Sequence, residues 1–121
     1  MRSALANTGL IAHREALAAA GAAIKLVLRL PTPLKPICDQ VIRAASSVPA
    51  NLAEGHGRFG RDRVHHWRIA YASAKEVDCH LQLLLAAGAL LRPQAERSLR
   101  LFDEVDGASN APPPALTIRW L

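Results

Sequence analysis

The sequence predicts an all-α protein, an antiparallel up-down four-helix bundle with a Pro-rich extended C-terminal tail. Half of the 121 residues are hydrophobic but only 4% are aromatic, and a core of Ala, Leu, Val and Ile favours packed helices. Apolar residues also recur at steps of three and four in four segments, which short stretches containing Pro or Gly connect. We expect residues 1–107 to form the bundle and residues 108–121 to form the tail.

Helix 1 is predicted over about residues 3–29. Its inward stripe combines large aliphatic residues at seven-residue spacing with neighbours on the same face, namely Leu10, Leu17, Ala20, Ile24, Val27 and Leu28. Lys25 and Arg29 interrupt the apolar run, so we predict that it does not span a membrane. The prolines of "PTPLKP" end the helix, because each lacks an N–H and displaces the preceding residue from the helical region.

Helix 2 is predicted to follow these prolines and to end at Gly55 and Gly57, since glycine accepts a left-handed helix cap at low cost. Its inward residues recur at steps of three and four and are Ile37, Val41, Ala44, Ala45, Val48 and Leu52. Pro49 falls inside this pattern, and we expect the helix to bend there.

Helices 3 and 4 complete the predicted bundle. Helix 3 runs from about Arg61 to Gly88 and has the most regular apolar stripe of the chain, formed by Trp67, Ala70, Ala74, Val77, Leu81, Leu84 and Leu85. Helix 4 runs from Pro93 to Gly107, with Ala95, Leu99, Phe102 and Val105 on one face.

The remaining stretch, "ASNAPPPALTIRWL", has no helical period, and its three prolines favour an extended segment. Leu116, Ile118 and Trp120 alternate with Thr117 and Arg119, a pattern that suits a strand or a docked peptide. We interpret residues 111–121 as an interaction segment; a frayed terminus is the alternative.

A row of polar residues accompanies the apolar stripe of helix 2, and a shorter row lies on helix 3. The members are Gln40, Arg43, Ser47, Asn51, Glu54 and Arg58 on helix 2, and Ser73, Glu76 and His80 on helix 3. We interpret them as a partly buried polar seam that fixes which helices pair and in which register. A tight hairpin predicts an ion pair between Arg43 and Glu76. The alternative is that the rows form a solvated surface.

The net charge of +5 and the isoelectric point near 10.0 fit an anionic partner such as nucleic acid, although a compositional bias of the genome also produces such values. Arginines concentrate in "GHGRFGRDRVHHWR", where Phe59 and Trp67 are candidates for stacking on bases. We predict that phosphates are bound by Arg58, Arg61, Arg63 and Arg68. The alternative is a solvated tip whose arginines only aid solubility.

The same stretch suggests two further chemistries. Asp62, His65 and His66, with His56 nearby, are conceivable metal ligands, but adjacent histidines point to different faces of a helix and no further ligand completes a set. Arg61 and His66 have the spacing of the catalytic motif of HEPN-class ribonucleases, which act without metal. We predict no metal and no cofactor, and keep the ribonuclease as an alternative.

No Ser-His-Asp set, Gly-rich phosphate loop or pair of catalytic carboxylates is recognised, so the sequence favours a binding or assembly protein over an enzyme. Cys38 and Cys79 form no CxxC motif, and no export signal is recognised. We therefore expect reduced thiols and a cytoplasmic location.

The run "ICDQVIRAASSVPANLAEGHGR", followed by "WRIAYASAKEVDCHL", resembles a family of small bacterial four-helix-bundle proteins. That family includes proteins encoded in intervening sequences of large-subunit ribosomal RNA genes, and the run is also similar to the accessory protein of diversity-generating retroelements. Its pattern is matched by Gln40, Arg43, Ala44, Ala45, Ser47, Asn51, Ala53, Glu54, Gly55 and Arg58, and on helix 3 by Ser73 and Glu76. The resemblance covers about residues 10–91.

This resemblance implies a homopentamer without catalytic activity. For the retroelement branch it also implies binding to nucleic acid and to a reverse transcriptase. A purely structural assembly protein is the remaining alternative.

Overall fold

The computed structural model describes residues 4–109, with side chains over residues 11–105. It contains four α-helices and a short 3-10 helix (Thr32–Leu34), the α-helices being α1 (Ala4–Val27), α2 (Lys35–His56), α3 (Gly60–Ala86) and α4 (Arg92–Ser109). Each helix packs against the next one along the chain, and α4 returns to α1. The predicted four-helix bundle is therefore confirmed. The predicted interaction segment at 111–121 lies outside the described residues.

The face that α1 turns toward the core differs from the predicted one. Its buried residues are mostly small, namely Ala12, Ala16, Ala19, Ala20, Ala23 and Val27. Leu17 is 51% exposed and Leu28 is 70% exposed, so the prediction that both face inward is wrong. The distance between packed helices depends on the side chains at the contact, and a row of alanines lets α1 approach its neighbours closely. The larger leucines remain on the outer surface.

The inward faces predicted for the other helices are confirmed in the main. The largest fully buried side chains include Val41 and Val48 of α2, Leu81 and Leu84 of α3, and Phe102 of α4. The buried Pro49 lies inside α2, which continues without interruption to His56. None of the helices between residues 4 and 109 is long and apolar enough to cross a membrane.

Gly55 and Gly57 do not form the predicted left-handed cap of α2. Gly55 lies within the helix and Gly57 has a φ of −83°. The indole of Trp67 packs directly on the backbone of Gly55, where a Cβ atom would collide with the ring. The left-handed residue of this turn is Gly60, with a φ of +57°, at the start of α3. Gly55 is thus required for the close contact between the end of α2 and the beginning of α3.

Candidate nucleic-acid interface

Polar contacts join α2 to α3 in the middle of their interface. The Ser73 hydroxyl donates to the Ser47 hydroxyl across a distance of 2.9 Å. The Asn51 amide donates to the Ser47 carbonyl at 2.9 Å and to the Ser47 hydroxyl at 3.0 Å. The Asn51 side-chain oxygen lies 3.0 Å from Nδ1 of His66. These four half-buried residues, which we call the central seam, connect the two helices through side chains alone.

Most other members of the predicted seam lie on the surface and only His80 is half-buried; the exposed members are Gln40, Arg43, Glu54, Arg58 and Glu76. The predicted ion pair between Arg43 and Glu76 is not found among the described residues. Glu76 Oε2 lies instead 3.5 Å from Nε2 of His80, one turn further along α3. On an exposed helix face, a neighbour four residues away is within reach without any contribution from a second helix.

His66 belongs to the central seam, although the polar row predicted on helix 3 does not include it. The signal was present, because His66 precedes Ser73 by seven residues and therefore shares its face of the helix. The clustering of His66 with other histidines instead suggested a ligand or catalytic role.

Arg58, at the α2–α3 turn, bridges two carboxylates. Its guanidinium lies 2.7 Å from Glu54 Oε1 and 3.0 Å from Asp62 Oδ2. The hydrogen bond from Arg58, together with its charge, lowers the pKa of the Glu54 carboxyl from its ordinary value. All three side chains are exposed, so these pairs contribute little to stability. They do surround the Arg58 charge with two negative charges.

Arg63 is bound to the backbone at the end of α2. Its Nε donates to the carbonyls of Gly55 at 3.0 Å and Arg58 at 2.8 Å, and its Nη2 donates to the His56 carbonyl at 3.1 Å. The last carbonyls of a helix lack partners within the helix, and a cation there also interacts favourably with the helix dipole. Arg63 therefore caps α2 from the first turn of α3. Its guanidinium also lies 5.7 Å from the centre of the Phe59 ring.

Arg61 and Arg68 face the solvent, and neither forms an ion pair among the described residues. They are seven positions apart on α3 with the exposed His65 between them, and the same stripe continues to Ala72 and Lys75. We call Arg61, His65, Arg68 and Lys75 the basic face of α3. It extends for about 21 Å along the helix axis. No carboxylate occupies a position of the stripe itself, although the exposed Asp62 and Glu76 lie beside its two ends. Lys75 Nζ lies 5.5 Å from the centre of the Tyr71 ring.

The geometry of this turn does not favour the metal site, the ribonuclease motif or base stacking on Trp67. Positions five residues apart are separated by about 140° around a helix axis, so Arg61 and His66 point in different directions. His66 is turned toward Asn51, whereas Arg61 is exposed. In the described part of the chain, no group of three or more His, Cys, Asp or Glu side chains is placed to hold a metal ion. Trp67 is only 6% exposed and cannot stack on a base, whereas Phe59 is 82% exposed.

Comparison with known proteins agrees with this architecture. A similar solved structure is the crystal structure of a protein with unknown function from the S23 ribosomal protein family of Bacteroides thetaiotaomicron. It is 22% identical in sequence with a TM-score of 0.78, and the match covers 86% of this chain and 96% of that chain. At this identity the likeness shows the fold alone. No curated protein matches the chain. Residues 9–111, which include all of the central seam and the basic face of α3, match the 23S rRNA-intervening sequence protein family, and the chain belongs to that family.

Proposed function

We propose that this protein is a non-catalytic nucleic-acid-binding protein that contacts the phosphate backbone through the basic face of α3. The observation that carries the proposal is that three exposed cations, Arg61, Arg68 and Lys75, recur at helical spacing along α3 with no carboxylate at a position of the same stripe. Guanidinium groups bind phosphates through paired N–H donors, and contacts to phosphates carry no sequence information directly. The name of the family refers to ribosomal RNA, which makes RNA the first ligand to test.

The proposed site contains only two of the four arginines that the sequence predicts to bind phosphates. Arg58 is flanked by two carboxylates, which oppose the approach of a phosphate. Arg63 is occupied by backbone carbonyls, and moving it to a ligand would leave the end of α2 uncapped. Arg61 and Arg68 are therefore the members of the cluster that we propose as phosphate ligands.

The direct test is the affinity for a labelled single-stranded RNA, measured by fluorescence anisotropy at low salt. The double variant Arg61→Gln/Arg68→Gln is expected to bind about tenfold more weakly or worse, to a similar degree for RNAs of different sequence. A matched control, Arg92→Gln/Arg100→Gln, removes the same charge from exposed positions of α4. Equal weakening in both variants, or no binding by the wild type, would contradict the proposal.

The proposal that the protein is not an enzyme is supported by the angular separation of Arg61 and His66 on α3. The RNA recovered from the binding experiment should therefore be intact. RNA cleavage without added metal that is abolished in His66→Ala would favour the ribonuclease alternative instead.

We further propose that the chain forms a closed homo-oligomer, with five subunits as the number that the resemblance implies. Leu17 on α1 and Leu28, the residue after its end, are both largely exposed. The Leu28 N–H still donates to the Ile24 carbonyl at 3.0 Å, so the helical spacing of eleven positions places the two side chains on one side of the bundle. Exposed apolar side chains on one surface are typical of an interface. A ring would repeat the basic face of α3, so that weak contacts to one RNA add up by avidity.

Light scattering at micromolar concentration is expected to give a mass of about five times the 13.0 kDa of one chain. Leu17→Ser/Leu28→Ser should lower this mass, whereas a monomeric wild type would disprove the assembly. A reverse transcriptase as protein partner is supported by the resemblance alone, and the proposed cytoplasmic location rests on the cysteine content and on the absence of a recognised export signal.

A further inference from the structure

A second cationic region lies far from the basic face of α3. A groove of about 160 Å³ separates the C-terminal part of α1 from the first turns of α4, and it is lined by Ala22, Lys25, Leu26, Arg29, Gln94, Arg97 and Ser98. Three of these residues are cations and none is a carboxylate. Because the bundle is antiparallel, the groove lies at the end opposite to the α2–α3 turn.

We propose that this groove is a binding site for a phosphate group, either free or part of a nucleic-acid strand. Lys25, Arg29 and Arg97 make no ion pair with a carboxylate in the described part of the chain. Three cations that line one concave surface without a carboxylate give it a positive potential, which attracts an anion. The chemistry of the lining therefore favours a ligand that carries more than one negative charge.

Neutral donors complete the groove. Ser98 is 2% exposed and lines it, and no hydrogen bond of its hydroxyl is found among residues 11–105. The Ser98 Oγ does not belong to the fully buried side-chain atoms without a partner in the described part of the chain, so solvent reaches it through the groove. This hydroxyl can therefore donate a hydrogen bond to a phosphate oxygen. Gln94 accepts a hydrogen bond from the Leu91 backbone N–H at 2.8 Å through its side-chain oxygen. Its amide N–H groups are therefore the part of Gln94 that is left for a ligand.

The position of Arg97 argues for a ligand and against a purely structural role. Lys25 and Arg29 lie near the C-terminus of α1, where cations stabilise the helix dipole on their own account. Arg97 lies in the second turn of α4, beyond the first turn in which the helix dipole acts on a charge, and it forms no ion pair in the described part of the chain. A bound anion would supply the partner that Arg97 lacks.

The size of the groove limits what it can hold. Pockets for complete small-molecule ligands measure about 300–1,000 Å³. At about 160 Å³ the groove is smaller, so we expect it to take the phosphate group and to leave the remainder of a larger ligand outside.

The test is a titration of the full chain with inorganic phosphate at constant ionic strength, in which binding is monitored by the chemical shifts of the backbone amides. Saturable shifts are expected for Gln94, Arg97 and Ser98, and sodium chloride should not reproduce them. Arg97→Gln and Ser98→Ala should each weaken phosphate binding about tenfold, because each removes a donor to the anion. Arg100→Gln removes a charge from α4 outside the groove and should bind as the wild type does.

Thermal unfolding of each variant shows whether the bundle is intact. Shifts that do not saturate, or wild-type affinity in both Arg97→Gln and Ser98→Ala, would overturn the inference. Because Ser98→Ala only removes one oxygen atom, a loss of binding in that variant is not explained by unfolding.

RNA distinguishes the two sources of the phosphate group. If a strand occupies the groove, RNA shifts the Gln94 and Ser98 amides and inorganic phosphate competes with it. If the groove takes free phosphate, RNA and phosphate bind to the same molecule at the same time without competing. Competition and simultaneous binding each support a phosphate site in the groove. The variant Arg61→Gln/Arg68→Gln should bind phosphate with unchanged affinity, so a failure of the proposed RNA interface leaves this inference standing.

Discussion

Arg61 and Arg63 are two positions apart on α3, but they have opposite environments. Two positions correspond to about 200° around the helix axis, so one side chain points outward while the other points back to α2. Arg63 donates to three carbonyls and Arg61 is exposed. Arginine density in a sequence is therefore a poor measure of the charge that a ligand can reach.

The role of Arg63 can be tested by comparing Arg63→Ala with Arg61→Ala in urea unfolding. Both changes replace an arginine, and with it one positive charge, by alanine. Only Arg63→Ala also removes the cap of α2. We expect Arg63→Ala to lower the free energy of unfolding by about 1.5–3 kcal/mol, the range for hydrogen bonds that involve a charged group. Arg61→Ala is expected to stay within about 0.5 kcal/mol of the wild type. Equal stabilities of the two variants would contradict the capping role.

At the scale of elements, α2 and α3 are held together by an apolar contact with the central seam inside it. Asn51 is the centre of the seam, because its amide contacts Ser47 and its carbonyl oxygen contacts His66. In an interface whose other buried side chains are apolar, such a network restricts the register that the two helices can adopt.

Asn51→Ala is expected to lower the free energy of unfolding by about 1–3 kcal/mol, since it leaves half-buried groups of Ser47 and His66 without their partner. A double-mutant cycle with His66→Ala should give a coupling energy of about 0.5 kcal/mol or more. Gln40→Ala, in the same row but exposed, serves as the control and should change stability by about 0.5 kcal/mol at most. If Asn51→Ala and Gln40→Ala have the same effect, the central seam does not stabilise the helix pair.

The helix faces show which parts of the structure are predictable from sequence. For α2, α3 and α4 the largest apolar residues form one stripe, and hydrophobic periodicity identifies the buried face. On α1 the buried stripe is alanine, which hydrophobicity ranks below leucine, so the pattern selected Leu17 and Leu28 instead. The choice depends on how closely the neighbouring helices approach, and a single sequence does not contain that distance.

The candidate site is predictable to a lesser degree for a related reason. The sequence located the arginine cluster, but the assignment of Arg63 to capping depends on carbonyls of another helix. The groove between α1 and α4 combines residues about 70 positions apart, so no local motif indicates it. Local spacing finds a face of one helix, whereas a site between helices becomes visible only in the fold.

At the scale of the whole molecule, six of the 15 Lys and Arg residues belong to two separate regions. The basic face of α3 is an open stripe on one helix, and the groove between α1 and α4 is a concave site at the other end of the bundle. We propose an RNA strand as the ligand of the stripe and a phosphate group as the ligand of the groove. In a closed oligomer both would be repeated with the symmetry of the assembly.

The salt dependence of RNA affinity is a direct test of the basic face of α3 as the nucleic-acid interface, because it counts the phosphates that the protein neutralises. For single strands, the logarithm of the affinity falls with the logarithm of the salt concentration by about 0.7 for each phosphate contact. We predict that Arg61→Gln/Arg68→Gln reduces this slope by about 1.4 for each subunit in contact with RNA, while Arg92→Gln/Arg100→Gln leaves it unchanged. Identical slopes for the wild type and the Arg61→Gln/Arg68→Gln variant would contradict the assignment of the basic face of α3 as the nucleic-acid interface.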